Sequence, residues 1–161
     1  MTRFRQRDAR RGDEPAVRRI VFAVLGEYGL SPDPAGTDAD LVDLLASYAD
    51  RGGAFRIVED EQGEIVGCGG LYRLTEAEAE IRKMYLLPSV RGQGIGRALL
   101  EDLIAAARRR GYTRVLLETA SVLKEAIALY RRFGFVETHR DRLARRCDKA
   151  FALDLRGPAG S

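Results

Sequence analysis

The 161-residue sequence predicts an α+β fold in which about four helices are layered on a mixed, mostly antiparallel sheet. Three observations lead there. Strand-like runs at 55–59, 65–74 and 79–87 follow one another through short turns, the pattern of an antiparallel meander. The third run is separated from the next apolar strand, 115–119, by a glycine-rich segment and a long helical stripe, so that one strand pair is parallel and joined by a right-handed crossover. Helical periodicity governs much of the first fifty residues and returns at 125–133.

The elements follow in order. Residues 4–9 read as a short first strand. Glu14-Pro15 opens a helix that continues to Tyr28, with proline near its start and Gly29 past its end. Residues 31–36 break the chain. Thr37 or Asp38 can cap a second helix through about Ala49, whose Leu41, Leu44, Leu45 and Tyr48 fall at helical spacing. Asp38, Asp40 and Asp43 are read as first-turn acids favoured by the helix dipole rather than as metal ligands. Beyond the meander, Leu99, Leu100, Leu103, Ile104 and Ala107 mark one face of a helix ending at Gly111. A helix at 125–133 and strands near 135–137 and 150–155 complete a single domain over 1–157, with 158–161 as a loose tail.

A composition of 45% hydrophobic and 32% charged residues is that of an ordinary globular protein. No apolar run approaches the roughly 18 residues of a membrane span, and Met1-Thr2-Arg3-Phe4-Arg5 lacks a signal-peptide core, so a cytoplasmic protein without a membrane partner is expected. The net charge of +3 arises from 27 basic against 24 acidic residues, and Arg108, Arg109 and Arg110 complement a helix C-terminus, so no nucleic-acid partner is expected. Cys68 and Cys147 belong to no C-x-x-C, and His139 is the only histidine, lying beside Arg140 and Asp141 in a polar loop. Neither a disulfide framework nor a metal is expected, and His139 reads as a surface residue.

The most informative segment is Arg91-Gly92-Gln93-Gly94-Ile95-Gly96-Arg97, placed between a strand and an amphipathic helix. Closely spaced glycines let backbone N–H groups face a ligand, and the helix that follows adds unpaired amides and the positive end of its dipole. Such a start holds phosphate. It is not a P-loop, because lysine and Ser/Thr are missing after Gly96, and the third glycine of a dinucleotide fingerprint would fall on Leu99. A glycine-rich turn without a ligand is the competing reading.

The loop resembles the pyrophosphate loop of the GNAT superfamily of acyl-CoA-dependent N-acetyltransferases. Met84-Tyr85-Leu86-Leu87-Pro88 is similar to the strand and proline before that loop, and the run from Ala126 through Tyr130 to Gly134-Phe135 resembles the family's second signature. The likeness is close from the loop to Phe135 and weak over the first 50 residues. Glu27-Tyr28-Gly29-Leu30 and Cys147-Asp148 resemble a subgroup that also occurs fused to MarR-type regulators.

The resemblance implies the GNAT fold, with its central parallel strands splayed apart, and acetyl-CoA as co-substrate. The pyrophosphate would lie on Arg91, Gly92, Gln93, Gly94, Ile95, Gly96 and Arg97, while the backbone of Met84, Tyr85 and Leu86 would pair with the pantetheine. Tyr130 stands where the family carries its general acid, though it also has apolar neighbours that allow a packing role. Glu118 stands where ribosomal-protein N-terminal acetyltransferases carry a base, and Glu80 where histone acetyltransferases do; an ion pair with Arg82 is the structural alternative for both. Strand alternation places Glu80, Arg82 and Met84 on one face. Leu123 departs from the asparagine that many relatives carry seven residues before the tyrosine.

The expected activity is acetyl transfer to a primary amine of a small or amino-acid-like acceptor, by a monomer or homodimer. A protein acetyltransferase acting on N-termini or lysines, and a non-catalytic acyl-CoA sensor, are the alternatives.

Overall fold

The computed structural model describes residues 3–157. Met1, Thr2 and the tail expected at 158–161 lie outside the described residues. The chain runs β1 (Arg5–Asp8), α1 (Glu14–Glu27), α2 (Leu44–Ser47), β2 (Ala54–Glu59), β3 (Ile65–Arg73), β4 (Glu78–Leu86), α3 (Ile95–Arg109), β5 (Arg114–Thr119), α4 (Lys124–Phe133), β6 (Val136–Thr138) and β7 (Lys149–Asp154). The strands form one sheet in the order β1-β2-β3-β4-β5-β7-β6, antiparallel except between β4 and β5. This is the predicted α+β architecture. Among the described residues no helix is long and apolar enough to cross a membrane.

Two apolar clusters lie on opposite faces of the sheet. On one, Leu99, Leu100, Leu103 and Ile104 of α3 pack with Tyr130 and Phe135 against Ile81, Val115 and Leu117. Leu99, Leu100 and Leu103 are fully buried, each worth about 1.5–3 kcal/mol of apolar transfer. On the other, Val17, Val21 and Leu25 of α1 pack with Leu41, Leu44 and Tyr48 over Phe55, Ile57 and Cys68. Helix α1 ends as its sequence requires, with Gly29 at φ 71° and Leu30 N–H donating back to the Leu25 carbonyl at 2.8 Å.

The second helix expected from 37 or 38 to 49 is broken into a 3₁₀ turn at Ala39–Leu41, the four-residue α2 and another 3₁₀ turn at Ala49–Arg51. Leu41, Leu44 and Tyr48 are buried as their spacing implied. Asp43 adopts an extended backbone and caps α2 by accepting from Ala46 N–H at 3.0 Å. Asp38 caps nothing, because its carboxylate is held by Arg146, and Asp40 takes the Tyr48 hydroxyl and the Lys83 ammonium. Ion pairing thus replaces the capping role expected of Asp38, while Asp40 stays in a first turn and Asp43 is a true cap.

Register decides where the site opens. Strands β4 and β5 pair from Glu78 opposite Arg114 to Ile81 opposite Leu117, after which β4 continues to Leu86 without β5 as a partner. The two strands part there. On the β3 side, Cys68 lies opposite Tyr85 and Gly70 opposite Arg82, so Lys83 and Met84 together face Gly69 in a β-bulge, with Lys83 at φ 55°. The extra residue reverses the alternation. Glu80 and Arg82 share the α1 face, whereas Met84 packs with the α3 cluster, which corrects the expectation that all three share one side.

Candidate active site

The gap between β4 and β5 opens into a cavity of about 930 Å³. Its glycine-loop end is built by backbone. Gly92 and Gly94 sit at φ 77° and 81°, and Gly94 is the N-cap of α3 with no side-chain capping bond. Among the described residues none of the amides of residues 92–97 donates to a protein acceptor; the first helical bond is Ala98 N–H to the Gly94 carbonyl at 3.1 Å. Six free donors at the positive end of a fifteen-residue helix are a ready anion cradle. Gly92, Gly94, Gly96 and Arg97 line the cavity, while the Gln93 side chain is exposed and Ile95 is buried in the core.

Arg91 does something its place in the loop did not announce. Its guanidinium holds both oxygens of Glu27, at 2.6 and 2.8 Å, and donates twice to the Leu86 carbonyl, at 2.9 and 3.1 Å. Its amide is already spent on the Pro88 carbonyl at 3.3 Å. The side chain therefore fastens the loop to the end of α1. Arg97 pairs with Glu101 one turn on, at 2.9 Å, in the manner of an i,i+4 helix pair.

Tyr130 lies on the α3 face, its ring 5.9 Å from that of Phe135 and its side chain buried. Burial, with Tyr85 and Cys147 nearby, pushes the phenol well above the usual tyrosine range, so it keeps its proton. Among the described residues its hydroxyl has no hydrogen-bond partner, yet it lines the cavity. Burial likewise raises Tyr85 to about 12. The Cys147 thiol is raised to about 11, by burial first and by Glu118 second.

Glu80 and Glu118 meet on the opposite face, across the opening. One guanidinium joins them: Arg140 bonds Glu80 Oε2 and, at 2.6 Å, Glu118 Oε2. Arg82 takes the other oxygen of Glu80, and Ala144 N–H donates to Glu118 Oε1 at 2.8 Å. The expected Arg82 partnership thus holds for Glu80 but not for Glu118. Glu118 carries one cation, Glu80 two.

The connection between β6 and β7 forms much of the remaining wall. Arg146 grips Asp38 through two bonds of 2.7 and 2.8 Å, and although burial alone would raise the Asp38 carboxyl, Arg146 holds it below the usual range. Lys83, turned inward by the bulge, reaches the Thr37 carbonyl at 2.9 Å and Asp40 at 3.0 Å. Asp148 anchors the loop to Ser121 by two bonds of 2.7 Å. The sequence places His139 beside Arg140 and Asp141 in a polar loop as a surface residue, which holds for His139, 87% exposed, while Arg140 lines the cavity, as do Arg146 and Cys147, to which no site role was given. The usable signal was the basic run Arg140, Arg142, Arg145, Arg146 in a connection too short to form its own core.

Comparison with known proteins bears on the same features. The model of the acetyltransferase (GNAT) family matches residues 22–135. The uncharacterised N-acetyltransferase YjgM of Escherichia coli strain K12 is 44% identical over 128 residues, covering 76% of each chain. An acetyltransferase of the GNAT family from Staphylococcus aureus superposes with a TM-score of 0.89 at 21% identity, over 95% of this chain and 99% of that one. A phosphinothricin acetyltransferase from Sinorhizobium meliloti, solved in complex with acetyl-CoA, superposes with a TM-score of 0.75 at 22% identity, over 94% of this chain and 88% of that one.

Proposed function

The chain belongs to the acetyltransferase (GNAT) family and is an acyltransferase, and on that premise we propose that it moves the acetyl group of acetyl-CoA directly onto a primary amine of a small or amino-acid-like acceptor, acting as one domain in the cytoplasm. The observation that carries this reading is the sharing of one cavity by the unpaired amides after Arg91, the protonated Tyr130 and the carboxylate of Glu118. The residues present suit such a donor: amides for a pyrophosphate, and the unpartnered β5-facing edge of β4 for a pantetheine amide. Acetyl-CoA supplies the activated acyl group.

The amides of residues 92–97 bind and orient the donor's phosphates. A backbone N–H on the parted stretch of β4 is available to stabilise negative charge on the carbonyl oxygen. Tyr130, which keeps its proton, donates it to the leaving sulfur as the carbon–sulfur bond breaks. Glu118, directly or through one water, takes the proton from the attacking amine. It is favoured over Glu80 because a single guanidinium neutralises it and its side chain is more exposed, 14% against 6%. Arg146 on Asp38 and Lys83 on Thr37 tie the two walls of the acceptor end together, which favours a small acceptor over a peptide. A thiol-release screen with acetyl-CoA against amines, amino acids and peptides tests the reading. Turnover confined to peptides or proteins would replace it with a protein acetyltransferase, and donor binding without turnover on any amine would leave a sensor.

A further inference from the structure

Charge at the acceptor end does not balance. Five cations line it, Arg82, Lys83, Arg140, Arg142 and Arg146, against two lining carboxylates, Glu80 and Glu118, and two behind them, Asp38 and Asp40, reached by Lys83 and Arg146. Every carboxylate is matched: Glu80 by Arg82 and Arg140, Glu118 by Arg140, Asp38 by Arg146 and Lys83, Asp40 by Lys83. Among the cations lining this end the one left over is Arg142, an exposed residue of the β6–β7 connection that has no acceptor among the described residues. Its neighbours on the same connection, Arg140, Ala144 and Arg146, all contact Glu80, Glu118 or Asp38, at the end of the cavity away from the glycine loop.

We propose that Arg142 binds a carboxylate of the acceptor, so that the substrate is an amino acid, a molecule bearing one free carboxylate a short distance from its primary amine. The inference rests on the acetyl-transfer reading and specifies its acceptor. A single unmatched guanidinium suits a monoanion, and its planar fork suits the two oxygens of a carboxylate. The acceptor amine must lie near Glu118 to lose its proton, and Arg142 is two residues beyond the arginine that holds Glu118, so the two groups of the acceptor are bracketed by one short stretch of chain. With the carboxylate in place every charge at this end has a partner.

The test is a panel of N-acetyl amino acids and their C-terminal amides, titrated calorimetrically into the protein saturated with CoA, alongside turnover of the parent amino acids and amino-acid amides. At least one acid is expected to bind roughly ten- to a hundredfold tighter than its amide, the range of a charge-assisted hydrogen bond. Arg142→Gln should collapse that ratio through KM rather than kcat, and Arg142→Lys should restore part of it. No acid-over-amide preference anywhere in the panel overturns the proposal, as does a preference that survives Arg142→Gln. Acetylation of neutral amines with no acid preference sinks this inference alone; CoA binding with no amine acetylated sinks the acetyl-transfer reading, while the binding arm still decides whether Arg142 selects carboxylates.

Discussion

Replacing Tyr130 by phenylalanine separates chemistry from packing, because the two roles leave different traces. The ring would keep its place beside Phe135, 5.9 Å away, and its contacts in the α3 cluster. The hydroxyl has no protein partner among the described residues, so its loss should change stability by less than about 1 kcal/mol. General acid catalysis is worth roughly 10²–10⁴ in rate, or about 2.7–5.5 kcal/mol of barrier at 1.36 kcal/mol per decade. Turnover should therefore fall at least a hundredfold while urea denaturation and acetyl-CoA affinity stay near wild type. Because burial raises the phenol, it stays protonated at and above pH 10, and the wild-type rate should show no loss of this acid below that pH. A thioester whose thiol is more acidic should suffer less from the substitution, since its leaving group needs the proton less. Wild-type turnover in a folded variant, or a rate loss matched by an equal loss of stability, would refute the assignment and return Tyr130 to the core.

Three further outcomes are expected. Gly94→Asp and Gly94→Asn should fold alike, because these residues tolerate the left-handed backbone and an added Cβ meets nothing within 4 Å, but Asp alone should weaken CoA binding by more than about tenfold through its charge; equal affinities by calorimetry would take the phosphate off this loop. Glu118→Gln should cost about a hundredfold or more at pH 7, where only about one amine in a thousand is neutral, and recover towards pH 10; a pH-rate profile parallel to wild type, with Glu80→Gln the variant whose profile changes, would transfer the base to Glu80. Lys83→Met should cost about 3–5 kcal/mol in urea denaturation because it strands Asp40 beneath the sheet, and adding Asp40→Asn should return part of that; a loss under about 1 kcal/mol would mean the pair is not a buried charge pair in solution.

The sheet was legible because its signals are local. The meander could be read from strand-length apolar runs and tight turns, and the parallel pair from a strand, a helix and a strand in succession. The stripe from Leu99 to Ala107 buried as its periodicity required. The segment from 37 to 51 was not legible in the same way. Its leucines occupy helical positions, yet Asp38 and Asp40 are claimed by Arg146 and Lys83, which stand 108 and 43 residues away in sequence from the aspartates that bind them. No propensity reports a partner so remote, and a helix whose first turn is pulled into ion pairs gives way to 3₁₀ turns.

The site divides along the same line. Its glycine-loop end is made of consecutive backbone amides, so a local motif is enough to find it, and the family resemblance located Tyr130, Glu118 and Glu80 on their elements. The opposite, charged end draws on remote segments and on a single inserted residue. Were β4 regular, Lys83 would take the face opposite Glu80 and Arg82, the side on which Ile81 packs with α3, and its ammonium would be driven into an apolar cluster. The bulge instead turns it towards Thr37 and Asp40 and sends Met84 to the core in its place. A left-handed backbone at a non-glycine residue costs about 1–2 kcal/mol, less than the 3–5 kcal/mol at stake when a buried pair loses one partner, so the bulge and the Lys83 pair stabilise each other. The bulge lies just beyond Ile81, where β4 and β5 have already parted, and so places the Lys83 ammonium in the cavity that the gap opens.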